Sequence, residues 1–539
     1  MRSRKIATAG LLALLTAAAL FAQQPVLSPD LLREWLNYIA SDDLQGRATF
    51  SEGLGLAGAY ITDQLKDAGV KPGGDHGTYF QRVPVLGVRA VNRSSVTVDV
   101  NGMSRTFHTG NGVTFRPNVG GKQTLTLKDV VFVGYGLNLD DTHDDYKGLD
   151  VKGKAVVWLG ARGPSGTDQQ RVARMLNARA SLATDEMNGA ASIGPTGPPR
   201  LEAFGARPAG GNQPDFTTTQ RLDLPQTPSI TADDEFFEFL FSAADITYAD
   251  LKQRAENQAP LPSFTLKGVT LTFNIDAEYV VVNTRYTRNV IGIVEGSDPV
   301  LKNTYVVFGA HYDHIGYTQG MLNAGETDRI SNGADDDGSG TVTLIGMARA
   351  AAMGPKTRRS EIFIWHAGEE LGQWGSRYFA DYPVVPIESI VAQLNIDMIG
   401  RNRENKESEA NTVYPVGADR ISTELHNIME DVNAGLTRPL MLDFELNDPT
   451  DPERIYYRSD HYSYAAKGIP VIFFTTGLHP DYHRVTDTAD KINYEKMARI
   501  GQFVFEIGRR VANLDHAPAR DFKGARFGKG ASGKISTTN

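Results

Sequence analysis

Four short apolar runs in the C-terminal half of the chain, at 305–309, 361–365, 390–396 and 469–474, are each followed within a few residues by His, Asp or Glu. Runs of this length suit strands buried on both faces. Helical spacing over 340–353 and 371–382 separates them, with Ser339 in place to cap the first helix. Alternation of this kind predicts an α/β fold: a mainly parallel mixed central sheet flanked by helices, with right-handed crossovers. In such sheets ligands bind beyond the carboxyl ends of the strands, so side chains remote in sequence converge there. Those side chains are His311 and Asp313, Glu369 and Glu370, Asp397, and His479 and His483, with Asp335-Asp336-Asp337 just ahead of the helix at 340.

The rest of the chain is organised around that core. A length of 539 residues calls for more than one domain. Helical spacing marks 31–40 and 57–68, with the loop Asp43-Leu44-Gln45-Gly46-Arg47 between them. Strands follow at 79–85 and at 96–100, where valine recurs at every second position. Two further strands, 130–136 and 154–159, open a segment that becomes rich in Gly, Pro and Ala from 163 to 225, broken by a helix at 169–182. We therefore expect a β-rich insert at 127–268 within a discontinuous core of 27–126 and 269–514. Arg2, Arg4 and Lys5 precede an apolar run to Phe21 and then Gln23-Gln24-Pro25, the layout of a signal peptide at 1–22, which predicts an exported protein, periplasmic or secreted, without stable membrane insertion after cleavage. The run is shorter than the roughly 20 residues a membrane-spanning helix requires. A Gly-rich basic tail, 515–539, is expected to be disordered. With a net charge of −9 the chain is not expected to bind nucleic acid, and with no cysteine it has neither disulfides nor thiolate ligands.

Imidazoles and carboxylates without thiolates describe a site suited to zinc, with cobalt or manganese as possible substitutes. One carboxylate bridging two ions would let them share a water, and a second, non-ligand carboxylate is then needed to take its proton. Adjacent Glu369 and Glu370 offer both roles. The Asp335–Asp337 run lacks the oxygen spacing and terminal Glu of an EF-hand loop.

His311-Tyr312-Asp313, Asn332-Gly333-Ala334-Asp335-Asp336-Asp337-Gly338-Ser339-Gly340, Gly368-Glu369-Glu370-Leu371-Gly372, Asn395-Ile396-Asp397-Met398 and Tyr482-His483-Arg484-Val485-Thr486-Asp487-Thr488 together resemble the M28 family of zinc peptidases. The segment 127–268 resembles the protease-associated domain inserted in some of them. The resemblance implies two zinc ions held by His311, Glu370, Asp397 and His483 with Asp336 bridging. His483 and Glu370 would serve one ion, and His311 and Asp397 the other. It further implies Glu369 as general base and then acid, Asp313 as the carboxylate that orients His311, and Tyr482 as a donor to the tetrahedral oxyanion. His314, His366 and His461 are expected to be packing or supporting histidines.

What the resemblance implies is an aminopeptidase acting on peptides or proteins with a free N-terminus. Three alternatives remain open: a carboxypeptidase or dipeptidase on the same metals, with Arg401 or Arg458 as carboxylate partner; a glutaminyl cyclase; and a binding module that has lost its chemistry.

Overall fold

A computed structural model describes residues 27–139, 143–167, 169–196, 216–219, 221–317, 327–449, 451 and 453–522. The signal peptide expected at 1–22 lies outside these residues, as does most of the basic tail. The described residues form two compact units, one drawn from 1–83, 286–447 and 456–539, the other from 84–285 and 448–455.

The first unit holds strands β1 Ala277–Val294, which enters it at residue 286, β2 Tyr305–His311, β3 Ser360–His366, β4 Ile390–Ile396, β5 Thr412–Val416 and β6 Val471–Thr475; β2, β3, β4 and β6 are expected from the sequence, β1 and β5 are not. They lie in the order β1-β3-β2-β4-β6-β5. The pairs β2/β3, β2/β4 and β4/β6 are parallel, and β1/β3 and β5/β6 close the set antiparallel, giving the mixed, mainly parallel α/β sheet that the sequence implies. Every residue of β3 and β4 is buried, which is why these strands read as continuous apolar runs rather than alternating ones.

The helices of this unit are α1 Pro29–Ile39, α2 Glu52–Asp67, α3 Gly340–Met353, α4 Trp374–Asp381, α5 Thr423–Gly435, α6 His461–Ala465 and α7 Tyr494–Ala512. Ser28 caps α1 through the amide of Leu31, and Leu32, Trp35, Leu36 and Ile39 form its buried stripe. Alternate strand residues, among them Phe308, Trp365, Leu394 and Phe474, share one core with α1, α3 and α7. Ser339 does not cap α3 as expected. Its hydroxyl donates to the Asp335 carbonyl and accepts from the Ile399 amide, while Asp337 Oδ1 accepts from the Gly340 amide at 2.9 Å.

The second unit is built on a ten-stranded sheet with its own apolar core. Its extent differs from the expected 127–268. Strand Val269–Ile275 pairs with Ser95–Val100 on one side and with Gln123–Leu127 on the other, so the segment 95–127 belongs to this sheet. The alternating valines at 96–100 reveal a strand but not its partner, which lies some 170 residues on. Among the described residues no helix is long and apolar enough to cross a membrane.

Helix α7 approaches the sheet at Gly508, where a Cβ would fall 2.2 Å from Phe308 Cζ. The Phe308 ring is held by stacking on Phe363 at 5.1 Å and has no room to yield. Gly508→Ala is therefore expected to destabilise the first unit by about 1–3 kcal/mol, read from the denaturant midpoint at unchanged slope.

Candidate metal centre

The polar residues singled out in the sequence gather at the carboxyl ends of β2, β3, β4 and β6. His311 closes β2, Glu369 and Glu370 lie in the turn after β3, Asp397 follows β4, and His483 lies in the loop after β6. Asp336 sits in the irregular turn Ala334–Ser339 that leads into α3, its own backbone angles not helical. Its carboxylate lies between two imidazoles. Oδ1 is 3.2 Å from His311 Nε2 and Oδ2 is 3.1 Å from His483 Nε2. Asp397 Oδ1 stands 3.6 Å from the first imidazole nitrogen, and Glu370 Oε2 3.0 Å from the second. Each nitrogen therefore faces two carboxylates, one of them shared.

The three neighbouring aspartates have separate duties. Asp337 is occupied by the main chain, accepting from the amides of His311, Gly340 and Met398. It thereby ties the ends of β2 and β4 to the start of α3. Asp335 accepts from the Gly400 amide at 2.6 Å and faces His479 at 3.2 Å. His479 is thus engaged away from the cluster, and Asp336 is the aspartate of the three that faces His311 and His483. Asp487, in the Thr486-Asp487-Thr488 stretch, accepts from the amides of Asp335 and Asp336 and fixes their turn.

Asp313 differs from its expected role. His311 Nδ1 meets the Asp313 main-chain carbonyl at 3.0 Å, while the nearest carboxylate oxygen is 3.8 Å away. That carboxylate instead accepts from Thr49 Oγ1 and from the Glu369 amide, so it holds the Glu369 turn. Tyr482 stacks on His483 at 3.9 Å, and its hydroxyl accepts from Arg458 Nη2 at 3.3 Å. Burial pushes this phenol far above its ordinary value, so at neutral pH it keeps a proton to donate. Arg401 is paired with Asp481 and Asn405. Of the two arginines considered for a substrate carboxylate, Arg458 is the exposed one beside the cluster.

Supporting groups complete the site. Ser459 donates to Asp397 Oδ2 at 2.7 Å and accepts from Asn395. His314, expected as a packing or supporting histidine, has its Nδ1 2.7 Å from Glu370 Oε1. The signal for it was the His-x-x-His spacing of 311 and 314 at one strand end. His366 is bound to Tyr464 and faces Asp460, and His461 stacks on Phe473, both in supporting positions.

Protonation follows this crowding. Burial alone would lower His311 and His483, but the carboxylates outweigh it: His311 lies well above its usual value, and His483 is raised to about 10. Asp336 is favoured by burial toward the neutral acid, yet its two imidazoles hold it well below the usual carboxylate range. Glu369, half-buried near Glu370, Asp397 and Asp460, is pushed well above it by desolvation and those carboxylates, with His311 opposing.

These residues fit a divalent cation. His311, Asp337 and Asp397 offer donor atoms within 4.8 Å of one another, as do His314, Asp336 and Glu370. Within the first group, Asp337 has both oxygens committed to amides, so Asp336 is the better donor. His311 Nε2 and Glu370 Oε1 are buried without a well-formed hydrogen bond, and all donors are nitrogen and oxygen, suited to a borderline ion.

The sequence of this region matches a known family profile, that of Peptidase family M28, over residues 289–508. This segment belongs to peptidase family M28. The chain is 28% identical over 223 residues to a probable leucine aminopeptidase 1 of Trichophyton verrucosum, covering 39% of this chain and 54% of that protein. A probable leucine aminopeptidase of Arthroderma otae is 30% identical over 224 residues, 38% of this chain and 54% of that one. The chain thus spans about half the length of the curated relatives it matches. Among solved structures, an aminopeptidase from Aneurinibacillus sp. strain AM-1 matches at 18% identity and TM-score 0.44, covering 94% of this chain and 98% of that one. A zinc aminopeptidase of Bacillus subtilis matches at 17% identity and TM-score 0.42, covering 93% and 100%.

The division of labour among the aspartates is testable. Asp336→Asn is expected to abolish tight zinc uptake in equilibrium dialysis while leaving the far-UV circular dichroism unchanged. Asp337→Asn, which leaves main-chain amides poorly matched, is expected to cost about 1–3 kcal/mol of stability in denaturant unfolding.

Proposed function

We propose that this protein is an exported dizinc metallopeptidase that removes N-terminal residues from peptides or proteins. The observation that carries the reading is the Asp336 carboxylate between His311 and His483, each imidazole completed by a second carboxylate. In this reading His311 and Asp397 hold one zinc, His483 and Glu370 the other, and Asp336 both. Zinc at such a site polarises a carbonyl and lowers the pKa of water, which is the chemistry hydrolysis of an amide requires.

The chain's own residues supply the rest. Glu369 sits beside the imidazole pairs without forming an ion pair of its own among the described residues, and its elevated pKa suits a group that accepts a proton and then returns it to the leaving amine. Tyr482, protonated and stacked on His483, is the donor toward the oxyanion of the tetrahedral intermediate. Excess buried carboxylate around the cluster favours a substrate ammonium, which supports cleavage at a free N-terminus, and the leucine aminopeptidase names of the relatives point the same way. Export rests on the charged and apolar pattern of residues 1–22. We assign the second unit the part of a protease-associated insert.

Glu369→Gln should retain the zinc content of the wild type while kcat on an aminoacyl chromogenic substrate falls by about 10²–10⁴-fold. Loss of zinc in this variant would make Glu369 a ligand instead. In the wild type, activity confined to free amines and absent on the N-acetylated substrates supports the aminopeptidase. Activity that requires a free C-terminus transfers the assignment to a carboxypeptidase, with Arg458 as carboxylate partner.

A further inference from the structure

The residues that face the cluster all lie within the M28 segment, yet some of the groups that hold them in place do not. They come from the N-terminal stretch that links α1 to α2, more than 260 positions away from His311. Arg47 is fully buried there. Its Nε donates to the Tyr312 carbonyl at 3.0 Å, between His311 and Asp313 in the chain. Nη1 donates to the Asn332 carbonyl at 2.7 Å and Nη2 to the Gly333 carbonyl at 3.0 Å, both leading into Asp335–Asp337. Nη1 also reaches the Ile39 carbonyl at the end of α1, at 2.5 Å. One rigid guanidinium therefore bridges the His311 loop and the Asp336 loop.

The same stretch makes further contacts with the site. Gly46 lies so close to the Asp336 loop that a Cβ there would fall 2.3 Å from the Ser331 carbonyl oxygen. The Arg47 carbonyl accepts from the His314 amide at 3.2 Å. Thr49 Oγ1 donates to Asp313 Oδ2 at 2.8 Å, and Asp313 Oδ1 accepts from the Glu369 amide at 3.2 Å. Through Asp313, then, a single hydroxyl reaches both the main-chain carbonyl that meets His311 Nδ1 and the turn that carries Glu369 and Glu370. An arginine is suited to this task because its planar fork presents five donors in fixed directions, whereas a lysine offers a flexible point charge.

We propose that Arg47 and Thr49 are positioning residues for the metal centre. Arg47 sets the spacing of the His311 and Asp336 loops, and Thr49 fixes Asp313 and the Glu369–Glu370 turn. The proposal rests on the metal reading given above and extends the functional unit beyond the M28 segment, to the residues that precede the second unit.

The test uses the full mature chain and zinc alone, titrated in competition with a chromophoric chelator, with kcat and KM measured on the same preparations. Partners that orient metal ligands typically contribute 10–100-fold to metal affinity or activity. Thr49→Val preserves shape and removes the donor, and is expected to weaken zinc binding by about tenfold and lower kcat at unchanged KM. Thr49→Ser restores the hydroxyl and is expected to return zinc affinity to within about twofold of the wild type, which loss of packing alone would not do. Arg47→Met is expected to move in the same direction by about 100-fold, with Arg47→Lys recovering only part. Should Arg47→Met fail to fold, the threonine pair decides. Wild-type affinity and kcat in Thr49→Val, or equal losses in Thr49→Val and Thr49→Ser, overturn the proposal while leaving the metal reading intact. A wild-type chain that takes up no stoichiometric zinc in the same titration overturns the metal reading itself, and the proposal with it.

Discussion

Carboxylates taken out of water must be paired or hydrogen-bonded, and this chain buries Asp313, Asp335, Asp336, Asp337, Asp397, Asp460 and Asp487 in one region. Much of the first unit's local structure follows from how each is compensated. Asp337 and Asp487 are satisfied by main-chain amides, and in accepting them they lock the turn before α3 to the ends of β2 and β4 and to the loop after β6. Asp397 and Asp313 are met by hydroxyls, from Ser459 and Thr49. Asp336 faces two imidazoles, which gives it a different part from its neighbours.

That difference separates scaffold from chemistry. The amide-bound aspartates cannot easily turn toward a ligand without releasing the backbone they hold. Asp336, Asp397, Glu370, His311 and His483 keep nitrogen and oxygen atoms directed at one another instead. Raised proton affinity of the two imidazoles expresses the same excess of negative charge that a divalent cation would neutralise, since a metal and a proton compete for the same nitrogen. Glu369 forms no ion pair of its own among the described residues, and desolvation beside neighbouring carboxylates raises its proton affinity.

The parallel core was legible because both-face burial writes itself into sequence as unbroken apolar runs, and β3 and β4 are the clearest instances. Residues placed after those runs converged for the same topological reason. What escaped were interactions whose partners are main-chain atoms or distant strands. Nothing in the pattern around Arg47 announces that its guanidinium serves carbonyls near residues 312 and 332. Asn395, though part of the Asn395–Met398 motif, and Ser459 show their partnership only once β4 and the loop before α6 meet. The boundary of the second unit was misplaced because the pairing of Ser95–Val100 with Val269–Ile275 is a long-range choice that alternation alone does not specify. His314 was legible in spacing to His311, but only the fold brings it to Glu370.

In the function proposed above, the two imidazole–carboxylate pairs on either side of Asp336 would be two metal sites sharing one carboxylate. Anomalous diffraction at the zinc edge from crystals of the purified chain tests it most directly. Two peaks are expected, one between His311, Asp397 and Asp336, the other between His483, Glu370 and Asp336. A single peak, a pair that does not share Asp336, or no peak in crystals equilibrated with zinc would contradict it.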